Sequence, residues 1–337
     1  MPKVKTLFFS APFQTEIRET NPPAPKEDEV FVETVCSAVS AGTEMLVYRG
    51  QFPREVADSH DALSSDLKYP LPYGYACVGV IKEAGKQVEK SWLDKTVFAF
   101  QPHASGFIAP LDSLIPLPEN ISPECACFLP NMETAVNFLH DATPILGERV
   151  LVMGQGIVGL LTAALLCEFP LEVLVTTDNY ELRRKASLDT GCSASLDPSQ
   201  PTFHQQAQML LESGADLTLE LCGSPSALND AIALTRFSGR VVIGSWYGDK
   251  KAPIDLGGAF HRSRIKLISS QVSTISPDLS GRWDKSRRFE VAWKALQRVK
   301  PEKWITHRYS INDAGKVYEL LDKNPQETIQ VLFNYPK

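Results

Sequence analysis

The 337-residue chain carries 34 Lys and Arg against 40 Asp and Glu, a formal charge of −6, with 43% hydrophobic and 22% charged residues. That composition suits a globular protein with a sizeable core, and the length suits two domains rather than one. An acidic balance lacks the basic surface that general nucleic-acid binding requires, and no apolar run approaches the roughly 20 residues that span a bilayer.

The opening MPKVKTLFFSAPFQTEIRE (1–19) holds basic residues and a short apolar run but no small-residue cleavage site. It reads as a first strand and turn, not a signal peptide. Up to about residue 130, short segments rich in Val and Phe are bounded by Pro and Gly: EVFVETVCSAVS (29–40), YACVGVIKEAG (75–85) and KTVFAFQ (95–101). These read as strands. Between them, residues 51–70 form a long polar connection containing Asp58, His60 and Asp61, a length at which loops are usually functional or mobile. Cys36, Cys77, Cys125, Cys127, Cys167, Cys192 and Cys222 are odd in number and contain no C-x-x-C pair. They read as reduced, mostly buried thiols of a cytoplasmic protein.

Near Ser122 the character changes, and the apolar spacing becomes helical over 123–139. RVLVMGQGIVGLLTAALLCEF (149–169) predicts a strand, a tight turn and a helix; LEVLVTTD (171–178) a strand; NYELRRKASLDTG (179–191) a helix. DLTLELCGS (216–224) and RVVIGSW (240–246) are further strands around a helical ALNDAIALTR (227–236). Continuously apolar strands alternating with helices indicate a parallel sheet covered on both faces. After Gln271 the pattern is mixed again, with a helix near RRFEVAWKALQRV (287–299). The expected layout is one domain over 1–131, an inserted αβ domain over 132–271, and a return to the first over 272–337.

Gly154, Gly156 and Gly159 spell G-x-G-x-x-G directly after an apolar strand and at the head of an apolar helix that Ile157 and Val158 open. The first glycine permits the turn, the second lets the backbone approach a pyrophosphate, and the third lets helix and strand pack closely. The helix start supplies oriented N–H groups to the anion. Asp178 ends the next strand about 20 residues on, where a carboxylate can accept both ribose hydroxyls. Its charge would repel a 2′-phosphate, which favours NAD. Arg183 and Arg184, one turn into the following helix, either rescue NADP binding or form a solvated helix face.

With these features the chain resembles the medium-chain dehydrogenase/reductase superfamily, and the resemblance covers essentially its whole length. It implies an α/β protein: a GroES-like β-rich catalytic domain with an inserted Rossmann domain, a doubly wound parallel sheet. WITHRYSINDAGKVYELL (304–321) looks like the family's usual last turn and helix. GYACVGVI, NMETAVNFLHDA and SWYGDKKAPIDLGGAFHRSRIKLISSQV are similar to a bacterial branch labelled zinc-binding dehydrogenase and related to the bacteriochlorophyllide hydroxyethyl dehydrogenase. The family's catalytic zinc is held by residues of C-G-T-D and G-H-E motifs and by a later Cys or Glu. The matching segments here read Ala41-Gly42-Thr43-Glu44, Gly74-Tyr75-Ala76 and, for the last, Pro130. Those side chains offer no conventional tetrahedral set, and the four cysteines of the family's structural zinc lobe are missing, so no metal is expected.

Without zinc, a reacting oxygen must be served by hydrogen-bond donors. Thr43 matches the family's hydroxyl relay position, or only caps a turn. Tyr75 replaces a metal ligand and either points its phenol into the vacated space or packs there. His103 is an acid/base candidate by its near-neutral pKa, or structural. Glu44 matches a carboxylate beside the zinc site and could orient His103 or Tyr75, or pair with Arg49. Asn131 and Glu133 are weaker candidates near a cleft expected between the domains. The resemblance further implies that the backbone of residues 221–223, 245–247 and 270–272 receives the nicotinamide carboxamide. This brings in Cys222, Gly223, Ser245, Trp246, Tyr247, Ser270 and Gln271, with Trp246 and Tyr247 either an aromatic wall or core. His261 and Arg262 follow Gly257-Gly258, where glycines suggest close approach to something. Arg282, Lys285, Arg287 and Arg288 head a helix, either as receivers of an anionic substrate or as a solvated helix start. An edge strand over 264–269 is where relatives pair into homodimers.

The expected activity is hydride transfer between NAD(P)(H) and a secondary alcohol or ketone. The alternatives are a quinone or enoyl C=C reductase and a nucleotide-binding protein that has lost catalysis. The expected partner is a small molecule.

Overall fold

The computed structural model describes residues 2–52 and 67–335; Asp58, His60 and Asp61 lie outside them. Contacts divide the described chain into two units: residues 2–52, 67–130 and 296–335 form one, and residues 131–295 the other.

In the first unit, strand Glu29–Ala38 is central because it is paired along both edges. Cys77–Ala84 runs antiparallel to it with Val32 opposite Ile81, and Gly106–Pro110 and Gln330–Asn334 share its other side. Thr96–Ala99, Ile115–Pro116 and Ile305–Ser310 extend the sheet. A smaller sheet orders Gln14–Thr20, Val4–Ala11 and Leu71–Pro72. Val30, Val32, Ile81 and Val97 fill one core cluster. Leu7, Phe9, Val47, Tyr318 and Phe333 belong to another, where helix Thr43–Arg49 packs with its residues 44–48 buried. That helix stops at Gly50, whose φ of 70° is a left-handed cap.

The second unit is a six-stranded parallel sheet in the order Ala194–Leu196, Val173–Thr177, Arg149–Met153, Ala215–Glu220, Thr235–Ile243, Lys266–Ser269. Numbered by chain position, the order is 3-2-1-4-5-6, which reverses direction beside Arg149–Met153. Side chains alternate faces along a strand, so Leu151, Val175 and Val241 enter one core cluster while Val150, Val152, Leu174 and Val242 enter the other. Burial on both faces explains the unbroken apolar runs.

Three expectations shift. The second unit extends past 271 to 295, and within it Arg288 is locked to Glu133 and Asn137 of helix Leu129–Ala142. The helix expected over 227–236 ends at Leu234, where Thr235 Oγ1 turns back on the Ala231 carbonyl at 2.7 Å. The following strand then ends at Ile243, leaving Ser245 and Trp246 in a loop. Among the described residues no helix is long and apolar enough to cross a membrane.

Candidate active site

The glycine turn of the second unit has the sterics its spacing demands. Gly154 has φ 95°, and a Cβ there would lie 2.7 Å from the backbone of Leu221 and Cys222. A Cβ at Gly159 would stand 1.9 Å from the Gly154 carbonyl oxygen, whereas one at Gly156 would meet nothing within 4 Å. The first and third glycines therefore serve packing, and the second faces open space. Gly156 is also the N-cap of helix Ile157–Leu166, so the N–H groups of Ile157, Val158 and Gly159 lack intrahelical acceptors. An anion there would meet the positive end of the helix dipole.

Asp178 is buried and joins this turn to the next loop, its Oδ2 accepting from Gln155 N and its Oδ1 from Tyr180 N, both at 2.8 Å. Each oxygen retains lone-pair capacity for a ribose hydroxyl. Arg184 donates to the carbonyls of Asp178 and Asn179 at 2.8 Å and lies 3.3 Å from Asp197. Arg183 stacks its guanidinium over Tyr180 at 4.8 Å.

At the carboxyl ends of the fourth and fifth strands, Gly223 N donates to Ser245 Oγ at 2.9 Å and Lys250 Nζ to Gly223 O at 2.5 Å. Trp246 is 41% exposed, while Tyr247 directs its hydroxyl to Glu220 at 2.5 Å. Cys222 also donates to Glu220. Glu220 is fully buried and was not expected from the sequence; the available signal was a carboxylate closing a strand whose neighbours Leu217 and Leu219 are apolar. Ser270 Oγ donates to Asp141 Oδ2 at 2.5 Å and accepts from Asn137 at 3.1 Å, and Gln271 bonds Ser273. Asn131 is buried, and His261 and Arg262 are exposed.

The basic helix head is corrected in one member. Arg288 is neither solvated nor offered to an anion: it is fully buried, with Glu133, Asn137 and the carbonyls of Val272 and Thr274 around its guanidinium. Glu133 is thereby committed as its counter-ion. Arg287 lies over the Trp283 ring at 4.1 Å, and Arg282 and Lys285 are exposed.

In the first unit the segments that match the metal motifs form a hydroxyl cluster. The Tyr75 phenol oxygen lies 2.5 Å from Ser40 Oγ and 3.3 Å from Thr43 Oγ1. Desolvation raises the Tyr75 pKa, against which its bonds to Ser40 and Thr43 act. A phenol has one proton to donate, so one of the two hydroxyls accepts while the other can give. Behind the cluster, Glu44 Oε1 accepts from Ser40 N at 2.8 Å, and its Oε2 accepts from Tyr318 OH at 2.5 Å and lies 3.1 Å from His103 Nε2. His103 is fully buried, with Ser37 Oγ 2.7 Å from its Nδ1 and Phe333 against its ring. Glu44 thus faces His103, Ser40 and Tyr318, while Arg49 pairs instead with Asp322 at 2.7 Å. Ser37, Ser40 and Tyr318 were not singled out in the sequence, where nothing local distinguishes them.

A tetrahedral zinc does not fit these donors. Ala41, Ala76 and Pro130 carry no ligand atom, and Glu44 and His103 are occupied with each other in the core. Among the described residues no group of three His, Cys, Asp or Glu side chains is placed to hold a metal ion.

Comparisons with known proteins agree with this architecture. Residues 158–288 match a family model described as zinc-binding dehydrogenase. The starvation-sensing protein RspB of Escherichia coli is 22% identical across 98% of this chain and 99% of its own. An E. coli structure described as a short chain alcohol dehydrogenase, rspB, complexed with NADH, superposes with a TM-score of 0.80 at 19% identity, over 98% of this chain and 99% of that one. A Sinorhizobium meliloti protein assigned as a zinc-binding dehydrogenase, bound to NADP, gives 0.78 at 17% identity, over 99% and 100%. With the 3-2-1-4-5-6 sheet and its glycine turn, these matches show that the chain has the fold of the medium-chain dehydrogenase/reductase, alcohol dehydrogenase-like proteins and that residues 158–288 are similar to the zinc-binding dehydrogenases.

Proposed function

We propose that the protein is an NAD(H)-dependent oxidoreductase that interconverts a secondary alcohol and a ketone without catalytic zinc, with the Tyr75 phenol handling the proton. The observation that carries this reading is the contact of Tyr75 with Ser40 at 2.5 Å and Thr43 at 3.3 Å, in the segments that match the family's metal motifs. A bound nicotinamide supplies or accepts the hydride. The turn over 154–159 and the head of helix Ile157–Leu166 would hold its pyrophosphate. Asp178 would hold the adenosine ribose, and the backbone near Cys222, Gly223, Ser245, Trp246, Tyr247, Ser270 and Gln271 the carboxamide. A carboxylate at the ribose supports NAD over NADP, and Arg184 is already committed to two carbonyls.

In the reducing direction negative charge develops on the substrate oxygen, and a neutral O–H must be at hand to meet it. Burial keeps the Tyr75 phenol above its ordinary pKa and therefore protonated at neutral pH. Thr43 or Ser40 can replace the proton that Tyr75 gives up. Glu44 positions Ser40 through its backbone N–H, and His103 acts on this cluster through Glu44. The same neutral donor would serve protonation of an enolate, so a quinone or enoyl reductase is the second reading. Product analysis separates the two.

The test is metal analysis of the purified protein, titration with NADH and NADPH, and turnover of a carbonyl panel by the wild type and Tyr75→Phe. Tyr75→Phe is expected to lower kcat by about 10²- to 10⁴-fold and leave NADH affinity unchanged. A Tyr75→Phe enzyme with normal kcat would move the proton donor elsewhere. Stoichiometric zinc whose removal abolishes turnover would overturn the metal-free reading, and a cofactor that binds but never turns over would favour a catalytically inactive binding protein.

A further inference from the structure

Doubly wound sheets consist of two mononucleotide-binding halves on either side of the point where strand order reverses. Asp178 stands on the half built from the first three strands of the second unit. The other half ends in the loops that follow Ala215–Glu220 and Thr235–Ile243. There the fully buried Glu220 carboxylate is used by both loops at once. Its Oε1 accepts from the Cys222 N–H and thiol, each at 2.8 Å, and its Oε2 accepts from the Tyr247 hydroxyl at 2.5 Å. Gly223 N, one residue on, donates to Ser245 Oγ at 2.9 Å. The glycine turn is tied in as well, because Gly154 packs directly on the Cys222 backbone.

A buried carboxylate is unfavourable unless fully partnered, and packing alone would be served by an apolar residue such as Leu217 and Leu219 earlier in the strand. Burial first, and the Glu220 charge second, push the Cys222 thiol and the Tyr247 phenol up, so both remain protonated donors at neutral pH.

Resting on the nicotinamide reading above, we propose that Glu220 is a positioning residue for the nicotinamide half of the dinucleotide. Its carboxylate holds the peptide groups of Cys222, Gly223 and Tyr247 ready for the carboxamide, and so acts on cofactor affinity without touching the adenosine end. The experiment is calorimetric titration of the wild type, Glu220→Gln and Tyr247→Phe with NADH and with ADP-ribose, which lacks the nicotinamide. Both variants are expected to weaken NADH about tenfold while ADP-ribose stays within about twofold of the wild type. Equal weakening of both ligands would make Glu220 a general structural residue and overturn the proposal, as would unchanged NADH binding in both variants. Tyr247→Phe removes a single hydroxyl and keeps the measurement available should Glu220→Gln fold poorly. A wild type that binds neither NADH, NADPH nor ADP-ribose would instead sink the nicotinamide reading itself.

Discussion

Replacing Arg288 with Met retains much of the side chain's bulk and removes its charge and donors. The guanidinium makes five hydrogen bonds: two to Glu133 Oε1 at 3.0 and 2.6 Å, one to Asn137 at 2.6 Å, and one each to Val272 O at 2.5 Å and Thr274 O at 3.0 Å. Breaking a buried ion pair from one side costs about 3–5 kcal/mol, since the remaining charge is left in the core. Residues 272–274 can turn their carbonyls toward water, so the Glu133 loss dominates and the expected destabilisation is about 4 kcal/mol, a large share of the roughly 5–15 kcal/mol that holds a typical fold. Urea unfolding at pH 8 measures it.

The pH dependence provides an independent check. Desolvation already holds the Glu133 carboxyl above its ordinary pKa, and Arg288 is the main influence pulling it down. Without Arg288 the folded-state pKa rises further. A raised folded pKa favours the folded form at low pH, and that benefit is lost as pH climbs through the folded value. Arg288→Met should therefore be less damaging at pH 5 than at pH 8. The double replacement Glu133→Leu with Arg288→Met removes both charges and should recover most of the loss. A destabilisation below about 1 kcal/mol at pH 8, or one that does not vary with pH, would refute the buried-pair account and restore Arg288 as a candidate for binding an anion.

Asp178→Ser removes the negative charge at the ribose and is expected to move the NADH/NADPH affinity ratio at least about tenfold toward NADPH; an unmoved ratio would locate the discrimination elsewhere. With Tyr75 protonated by burial, kcat/KM for carbonyl reduction should stay flat from pH 6 to about 10, and a fall near pH 7 would assign the proton to another group. Burial, with Arg288 and Arg287 adding positive charge, lowers His140 to about 4 from 6.5. Stability should be complete above about pH 6.5 and lost as pH falls toward 4, by about 1–2 kcal/mol after allowance for its partial exposure. His140→Gln should flatten that window in urea titrations, and an unchanged slope would mean His140 is not its source.

The glycine turn was legible because its constraints are local: no side chain can stand 1.9 Å from a carbonyl oxygen, as one would at Gly159. The parallel sheet was legible for a related reason, since strands buried on both faces are rich in apolar side chains that point to either face. Polar side chains answer to partners far along the chain. Arg288 reads as one of several exposed helix-start cations until Glu133, 155 positions away, takes it into the core. His103 looks like any acid/base candidate until Ser37 and Glu44 are found on its two nitrogens.

The two kinds of legibility meet at Ala41, Ala76 and Pro130. Side chains without metal-binding atoms can be read directly from the letters. The hydroxyl cluster beside them cannot. Ser40 and Tyr75 are 35 positions apart, and the antiparallel pairing of Glu29–Ala38 with Cys77–Ala84, which sets Ser37 opposite Cys77, brings the segment after the first strand beside the segment before the second. A hydroxyl cluster assembled by strand register is sensitive to that register. Ser40→Ala leaves the strands and Tyr75 in place, and so asks whether the cluster, rather than the phenol alone, carries the proton.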